Sequence, residues 1–207
     1  ISVTKDANEN AELNIQGDAS STLNVTSSSD AITSKGDINI DGAGTINATS
    51  TEFDAIDAKG DLTIKGSGNV NATSDSDGIR AGGNITIDSS GTVTAKATED
   101  QGIEAGENLT IKGGGKVEAS SVEDAAIWAD GNIDISGGSQ VKAGSEEDYA
   151  VEAKGSLTIT NASLNAHGVG YGVYTYKGIT LDHATVTVRA AAERDDVSAL
   201  FTDEDDI

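Results

Sequence analysis

Asp54-Ala-Ile-Asp-Ala-Lys-Gly-Asp-Leu-Thr-Ile-Lys-Gly-Ser-Gly-Asn-Val-Asn-Ala-Thr73 returns, with few changes, as Asp77-Gly-Ile-Arg-Ala-Gly-Gly-Asn-Ile-Thr-Ile-Asp-Ser-Ser-Gly-Thr-Val-Thr-Ala-Lys96. Self-similarity at a fixed period marks a repeat architecture. The unit recurs at Gln101, Ala125, Tyr149 and, more loosely, Tyr171. Upstream it occurs at Asp30, and a degenerate copy marked by Leu13, Ile15, Leu23 and Val25 precedes that. The step is 22 to 26 residues, usually 24.

Within each unit the apolar residues alternate with period two, the strand signature. Ile56 and Ala58, Leu62 and Ile64, and Val70 and Ala72 bracket Asp57, Thr63 and Asn71. The bracketed residues point outward, because successive strand side chains face opposite ways. Gly-containing turns separate the pairs, so three strands and three corners make one triangular coil. Apolar columns repeat from coil to coil: Ile32, Ile56, Ile79, Ile103, Ile127, Val151, Val173 is one, and Ile40, Ile64, Ile87, Ile111, Ile135, Ile159, Leu181 another. The expected fold is all-β, a single-stranded parallel β-helix of about eight coils. Parallel crossovers are right-handed in about 98% of cases, which predicts a right-handed solenoid. One coil cannot bury its own apolar face, so stability must come from stacking. The expected organisation is a degenerate first coil or cap over 1–29, regular coils over 30–189, and a degenerate last coil or acidic tail over 190–207.

Composition narrows the function. The chain has 35 acidic and 13 basic residues in 207, net −22. That argues against nucleic acid, whose phosphates need a basic surface, and against anionic lipid. Cys is absent, so there is no disulfide or zinc–thiolate site. No apolar run approaches the ~20 residues of a membrane span. Ile1 in place of Met reads as a processed or excised fragment. An open sheet end leaves end-to-end or face-to-face self-association as a further expectation.

One corner, between the third strand of one coil and the first of the next, concentrates acid. Up the stack run Glu52, Asp75, Glu99, Glu123 and Glu147, then Asp100, Asp124 and Asp148, then Asp30, Asp54 and Asp77. Like charges opposed on neighbouring strands destabilise one another. Ca²⁺, with six to eight oxygen ligands, would relieve this. Asp75-Ser76-Asp77-Gly78, with Asp54 below and Glu99 above, resembles half of a calcium loop. The candidate metal ligands are Asp54, Asp75, Asp77, Glu99, Glu52 and Asp100; the competing reading is a solvated acidic corner.

Candidate ligand-binding residues are Trp128, Tyr149, Tyr171, Tyr174 and Arg80. Trp128 and Tyr174 share one outward column with Glu152 between them, and Tyr149 and Tyr171 share the adjacent corner column. Exposed rings offer sugars apolar area with a polar edge; the competing reading is that they cover the corner. Arg80 lies three residues after Asp77, where it either compensates the acidic corner or, beside calcium, suits proton abstraction from a uronic acid. The exposed Thr63, Thr86, Thr110, Thr158 and Thr180 column reads as ordinary strand surface.

The motif Asp-Gly-Ile-x-Ala-x-Gly-(Asn/Asp)-(Leu/Ile)-Thr-Ile, clearest at Asp77-Gly-Ile and Gly106-Glu-Asn-Leu-Thr-Ile-Lys-Gly-Gly-Gly115, resembles secreted bacterial, clostridial-type, carbohydrate-binding β-helix proteins. The resemblance covers residues 30 to about 190. It implies a right-handed β-helix, an extracellular location, calcium held by Asp54, Asp75 and Asp77, and acidic plant polysaccharide such as polygalacturonate as partner. The chain departs from the motif at Gln101, Ala125, Tyr149 and Tyr171, where the corner Asp is missing. The expected function is therefore a non-enzymatic, calcium-dependent glycan-binding module at a cell surface. An adhesin stalk and a pectate-lyase-like enzyme are the alternatives.

Overall fold

In a computed structural model that describes residues 2–3, 11–191 and 199–203, the chain is a parallel β-solenoid. Three sheets run its length. The first holds nine strands, from Ser2–Val3 to Leu200–Thr202. The second holds eight, from Glu12–Gly17 to Gly178–Asp182, and the third eight, from Thr22–Ser27 to Thr185–Ala190. Every strand pairs in parallel with its counterpart one coil away, giving about eight turns of about 24 residues.

Both apolar columns are strand-to-strand registers. Ile79 pairs with Ile56 and Ile103, and Ile87 with Ile64 and Ile111. The six inward residues of the coil Ile56–Ala72 are all buried. Together the columns form one continuous aliphatic core. The end coils are looser: Leu13, Ile15, Leu23 and Val25 are partly buried, and so are Ile179, Val186 and Val188.

The corners are held by ladders of side chains that accept the next coil's backbone N–H. Asp61 donates its N–H to Asp37 Oδ1 at 2.9 Å and Asn84 to Asp61 Oδ1 at 2.7 Å. Asn108 donates to Asn84 at 3.2 Å, Asn132 to Asn108 at 2.9 Å, and Ser156 to Asn132 at 2.9 Å. A second ladder uses serine hydroxyls at the end of the third strand. Ser50 donates to the Ser29 carbonyl at 2.8 Å, Ser74 to that of Phe53, and Ser145 to that of Asp124 at 2.7 Å. These bonds satisfy polar groups that a tight corner would otherwise bury unpaired. The corner after the second strand instead needs positive φ, with Gly42 at 137° and Gly66 at 91°. A Cβ on Gly66 would collide with the Gly42 carbonyl below, whereas later coils carry Ser89 in register with Gly66, and Asn161 and His183 at positive φ, at this corner.

The core and ladder contributions separate by mutation. Ile103→Ala should cost about 2–5 kcal/mol, because a fully buried side chain leaves a cavity between two coils. Asn108→Ala should cost about 1–3 kcal/mol, through the bond to Asn84 Oδ1 and the stranded N–H of Asn132. Urea denaturation of both variants measures the difference.

Candidate functional site

The outward column of the first sheet carries or borders most of the candidate site residues. Its registers place Thr33, Asp57, Arg80, Glu104, Trp128, Glu152, Tyr174 and Phe201 in one line. Acid and its partners occupy the early coils; aromatic rings occupy the late ones.

At the acidic end, each corner aspartate accepts the N–H of its successor. Asp54 donates to Asp30 Oδ1 at 3.3 Å, Asp77 to Asp54 Oδ1 at 3.2 Å, and Gln101 to Asp77 Oδ1 at 2.9 Å. These carboxylates therefore continue the ladder logic of the other corners. Asp54 and Asp77 are buried as a result, at 8% and 4% exposure. The Ser76 hydroxyl lies 2.8 Å from Asp54 Oδ1 and 2.9 Å from Asp100 Oδ2. It has one proton for the two carboxylates. Glu52, Asp75, Glu99 and Asp100 sit on the exposed rim of the same corner. The six proposed metal ligands thus divide into a buried pair and an exposed four, with Ser76 joining Asp100 to Asp54.

Asp57 was missing from the proposed ligands and is the most deeply placed acid. It points outward from its strand, as alternation requires, yet its exposure is 0%. Lys59 Nζ at 2.7 Å, Thr33 Oγ1 at 3.3 Å and Arg80 cover it. Its Oδ2 is satisfied by Lys59 and Thr33. Its Oδ1 accepts no hydrogen bond, the nearest cation being Arg80 Nη1 at 3.6 Å. A buried, unpartnered carboxylate oxygen is costly and calls for a partner. Asp30, Asp54 and Asp57 each bring an oxygen within 4.8 Å of the others. An all-oxygen donor set of this kind suits a hard cation, so the cluster can hold a metal ion.

The charge balance supports this. Lys59 and Arg80 oppose five carboxylates: Asp30, Asp54, Asp57, Asp77 and Glu104. Arg80 is committed within the group, its Nε 2.6 Å from Glu104 Oε2 and 3.7 Å from Asp77 Oδ2. Burial raises the Asp54 pKa. Burial, and then the hydrogen bond and charge of Glu104, push Asp77 up to about 9. Arg80 favours the Asp77 anion, but at 3.7 Å it is outweighed by desolvation and two neighbouring acids.

The aromatic end is a ladder of rings. Tyr174 is stacked on Tyr149 at 5.4 Å and on Phe201 at 5.3 Å, and meets Tyr176 edge-on at 5.0 Å. Tyr171 lies 5.4 Å from Tyr149 and 4.8 Å from Phe201. Both faces of Tyr174 are thus taken by other rings, so it offers a ligand its edge. Trp128 stands apart, two coils below Tyr174 with Glu152 between, and Lys154 Nζ lies 5.0 Å from its ring centroid. Phe201 was overlooked in the sequence because the chain takes 27 residues from Tyr174 to its pairing partner.

The Asp77 shift fixes a pH dependence. Its pKa rises from 3.8 to about 9 on folding, so the folded state holds the proton more tightly than the unfolded one. The stability this confers is complete below 3.8 and is lost as pH climbs through about 9. In chelator, the wild-type Tm should fall between pH 5 and pH 9. Asp77→Asn, which keeps the acceptor for Gln101, should flatten that fall and melt higher than wild type at pH 9. Scanning calorimetry at both pH values checks this.

No curated protein and no solved structure matches the chain. A family model described as carbohydrate-binding domain-containing protein matches residues 3–108. That half contains Asp30, Asp54, Asp57 and Asp77 with their ladder, and stops short of the aromatic end. On this match the chain belongs to the carbohydrate-binding domain family.

Proposed function

We propose that this protein is an extracellular, non-enzymatic module that binds acidic polysaccharide with the help of calcium. The observation that carries the reading is the buried Asp57 carboxylate, with one oxygen that accepts no hydrogen bond and Asp30 and Asp54 oxygens within 4.8 Å. Calcium fits because the donors are all oxygens and because, with Asp77 protonated at neutral pH, two negative charges remain there after Lys59 and Arg80 are counted. An ion at the buried trio sets the corner's shape. Above it, the exposed Glu52, Asp75, Glu99 and Asp100 share further calcium with the carboxylates of a glycan chain. Polygalacturonate is the representative ligand.

Family membership supports binding of carbohydrate. The flat, continuous outer faces suit an extended polymer better than a small molecule. A lyase would need a free base beside the ion. Arg80 and Lys59 are the cations beside the trio, and both are engaged, Arg80 by Glu104 at 2.6 Å and Lys59 by Asp57 at 2.7 Å.

Two measurements test this. In thermal melts at neutral pH, calcium at one hundred times its dissociation constant should stabilise the fold by about 2.7 kcal/mol, roughly 5–10 °C for a domain of this size. Excess chelator should reverse the gain. Asp57→Asn should lose it, and so should the less buried Asp30→Asn, which keeps the acceptor for Asp54. On immobilised polygalacturonate, wild type should be retained at least tenfold longer in calcium than in chelator. Retention that ignores calcium would remove the ion from the function, and no retention in either condition would remove this ligand.

A further inference from the structure

Four positive side chains gather on the outer face of the third sheet, away from the calcium trio. Lys96, Lys116, Lys142 and Arg189 are all exposed there, with His167 among them. The registers fix their places. Lys116 lies in the column of Thr92, Gln140 and Ser163. Lys142 lies between Glu118 and Asn165, and Lys96 lies in the column of Ser120, Gly144, His167 and Arg189. The three lysines thus stand in three different columns, no two directly opposed, which avoids like-charge repulsion while spreading the charge.

The surface is also shaped. Two open grooves, of about 360 and 240 Å³, meet at Lys142. The larger is bordered by Lys96, Glu118, Ser120, Glu146 and His167, with Gly144 leaving its floor bare. The smaller is bordered by Lys116, Gln140, Asn165 and Thr187. Among the described residues, Glu118 is the one acid on the strands of this face from Lys96 onward. Lys116 bonds it at 2.6 Å. That bond, with the charges of Lys142 and Lys96, holds its pKa low. Lys96, Lys142 and Arg189 form no ion pair with a described residue.

We propose that this face, centred on Lys142, is a second surface along which the anionic, linear glycan lies, held through its carboxylate or sulfate groups. The idea rests on the glycan-binding reading but not on calcium. It answers a physical objection, since a chain of net −22 should repel a polyanion. At physiological ionic strength charges are screened beyond about 8 Å. Glu146 reaches the rim of the larger groove; beside Lys96 itself the acidic corner begins three residues on, at Glu99, about 10 Å along the chain. A ligand in the groove therefore feels the lysines first. From Lys96 to Arg189 the strip spans four coil steps, about 19 Å, which is long enough for several sugars. The amides of Gln140 and Asn165 and the hydroxyls of Ser163 and Thr187 supply the neutral hydrogen bonds a sugar ring needs.

The test is binding of the full chain, in calcium, to polygalacturonate, a sulfated galactan and a neutral galactan. Lys96→Glu combined with Lys142→Glu should weaken binding of the anionic polymers at least tenfold. Calcium uptake by titration calorimetry should be unchanged. Lys65→Glu with Lys112→Glu, which alters net charge equally on the second sheet, should bind as wild type. A carboxylate-reading groove prefers polygalacturonate, and a sulfate-reading one prefers the sulfated galactan. Equal binding of neutral galactan, or full binding by the Lys96/Lys142 double variant, overturns the proposal. So does a concentration-dependent dimer that the double variant abolishes, since the strip would then dock the acidic corner of a second copy. Equally tight binding of duplex DNA also overturns it. Wild type that binds no glycan at all defeats the functional reading itself, a result distinct from these.

Discussion

Stacking places each residue directly against its equivalent one coil away, about 4.8 Å along the axis. The rest of the molecule depends on that constraint. For aliphatic side chains it is favourable without further arrangement, and the Ile columns run almost unbroken through the core. For charge it is not, because like residues opposed across strands repel. In two columns charge alternates in sign, although Glu12 stands directly against Asp37 in the first coils of the second sheet. Asp57, Arg80 and Glu104 follow one another on the first sheet, and Asp41, Lys65, Asp88 and Lys112 on the second.

The aspartate corner escapes that rule by giving each carboxylate a backbone N–H. The arrangement is the same one that Asn84, Asn108 and Asn132 use at the next corner, with a charge added. An amide completes the ladder without cost. A carboxylate there carries a buried negative charge that one N–H does not neutralise. The surplus shows as the raised pKa values of Asp54 and Asp77. The neighbouring ladder also begins with aspartate, at Asp37 and Asp61, before it turns to asparagine. What sets this corner apart is the burial of Asp54, Asp57 and Asp77; buried charge is a departure from what the fold requires, and such departures are where function is expected.

Most of the fold was legible in the sequence because two periods, two residues and about 24, are both visible in it. The columns, the three strands per coil and the parallel pairing follow from them. The site was legible only in part. Asp54 and Asp77 could be placed at the corner from their recurrence. Asp57 could not be recognised as buried, because alternation says which way a strand residue points and not whether Lys59, Thr33 and Arg80 will close over it. Likewise the Tyr149 and Tyr171 column was readable, but the orientation of the rings was not. Tyr149 and Tyr171 are tilted 44° to each other, and the face-to-face contacts are those of Tyr174 with Tyr149 and Phe201, at a coil spacing close to ring-stacking distance.

Because stacking preserves columns, it also preserves faces, and a solenoid can keep chemically different surfaces apart over its whole length. The second sheet presents mainly Asn, Thr and alternating charge. The first runs from caged acid to packed rings. The third holds lysines staggered across three columns. In a globular domain of the same composition, a few lysines would be dispersed among nearly three times as many acids and lose any local field. Here the flat faces hold them together, and apart from Glu146 at the groove's rim a distance of about one Debye length separates them from the acidic corner. Net charge is then a poor guide to what the surface attracts. A cation bound at that corner would lower the remaining repulsion along the shared edge, so the calcium site and the lysine face would favour the same anionic partner without touching each other.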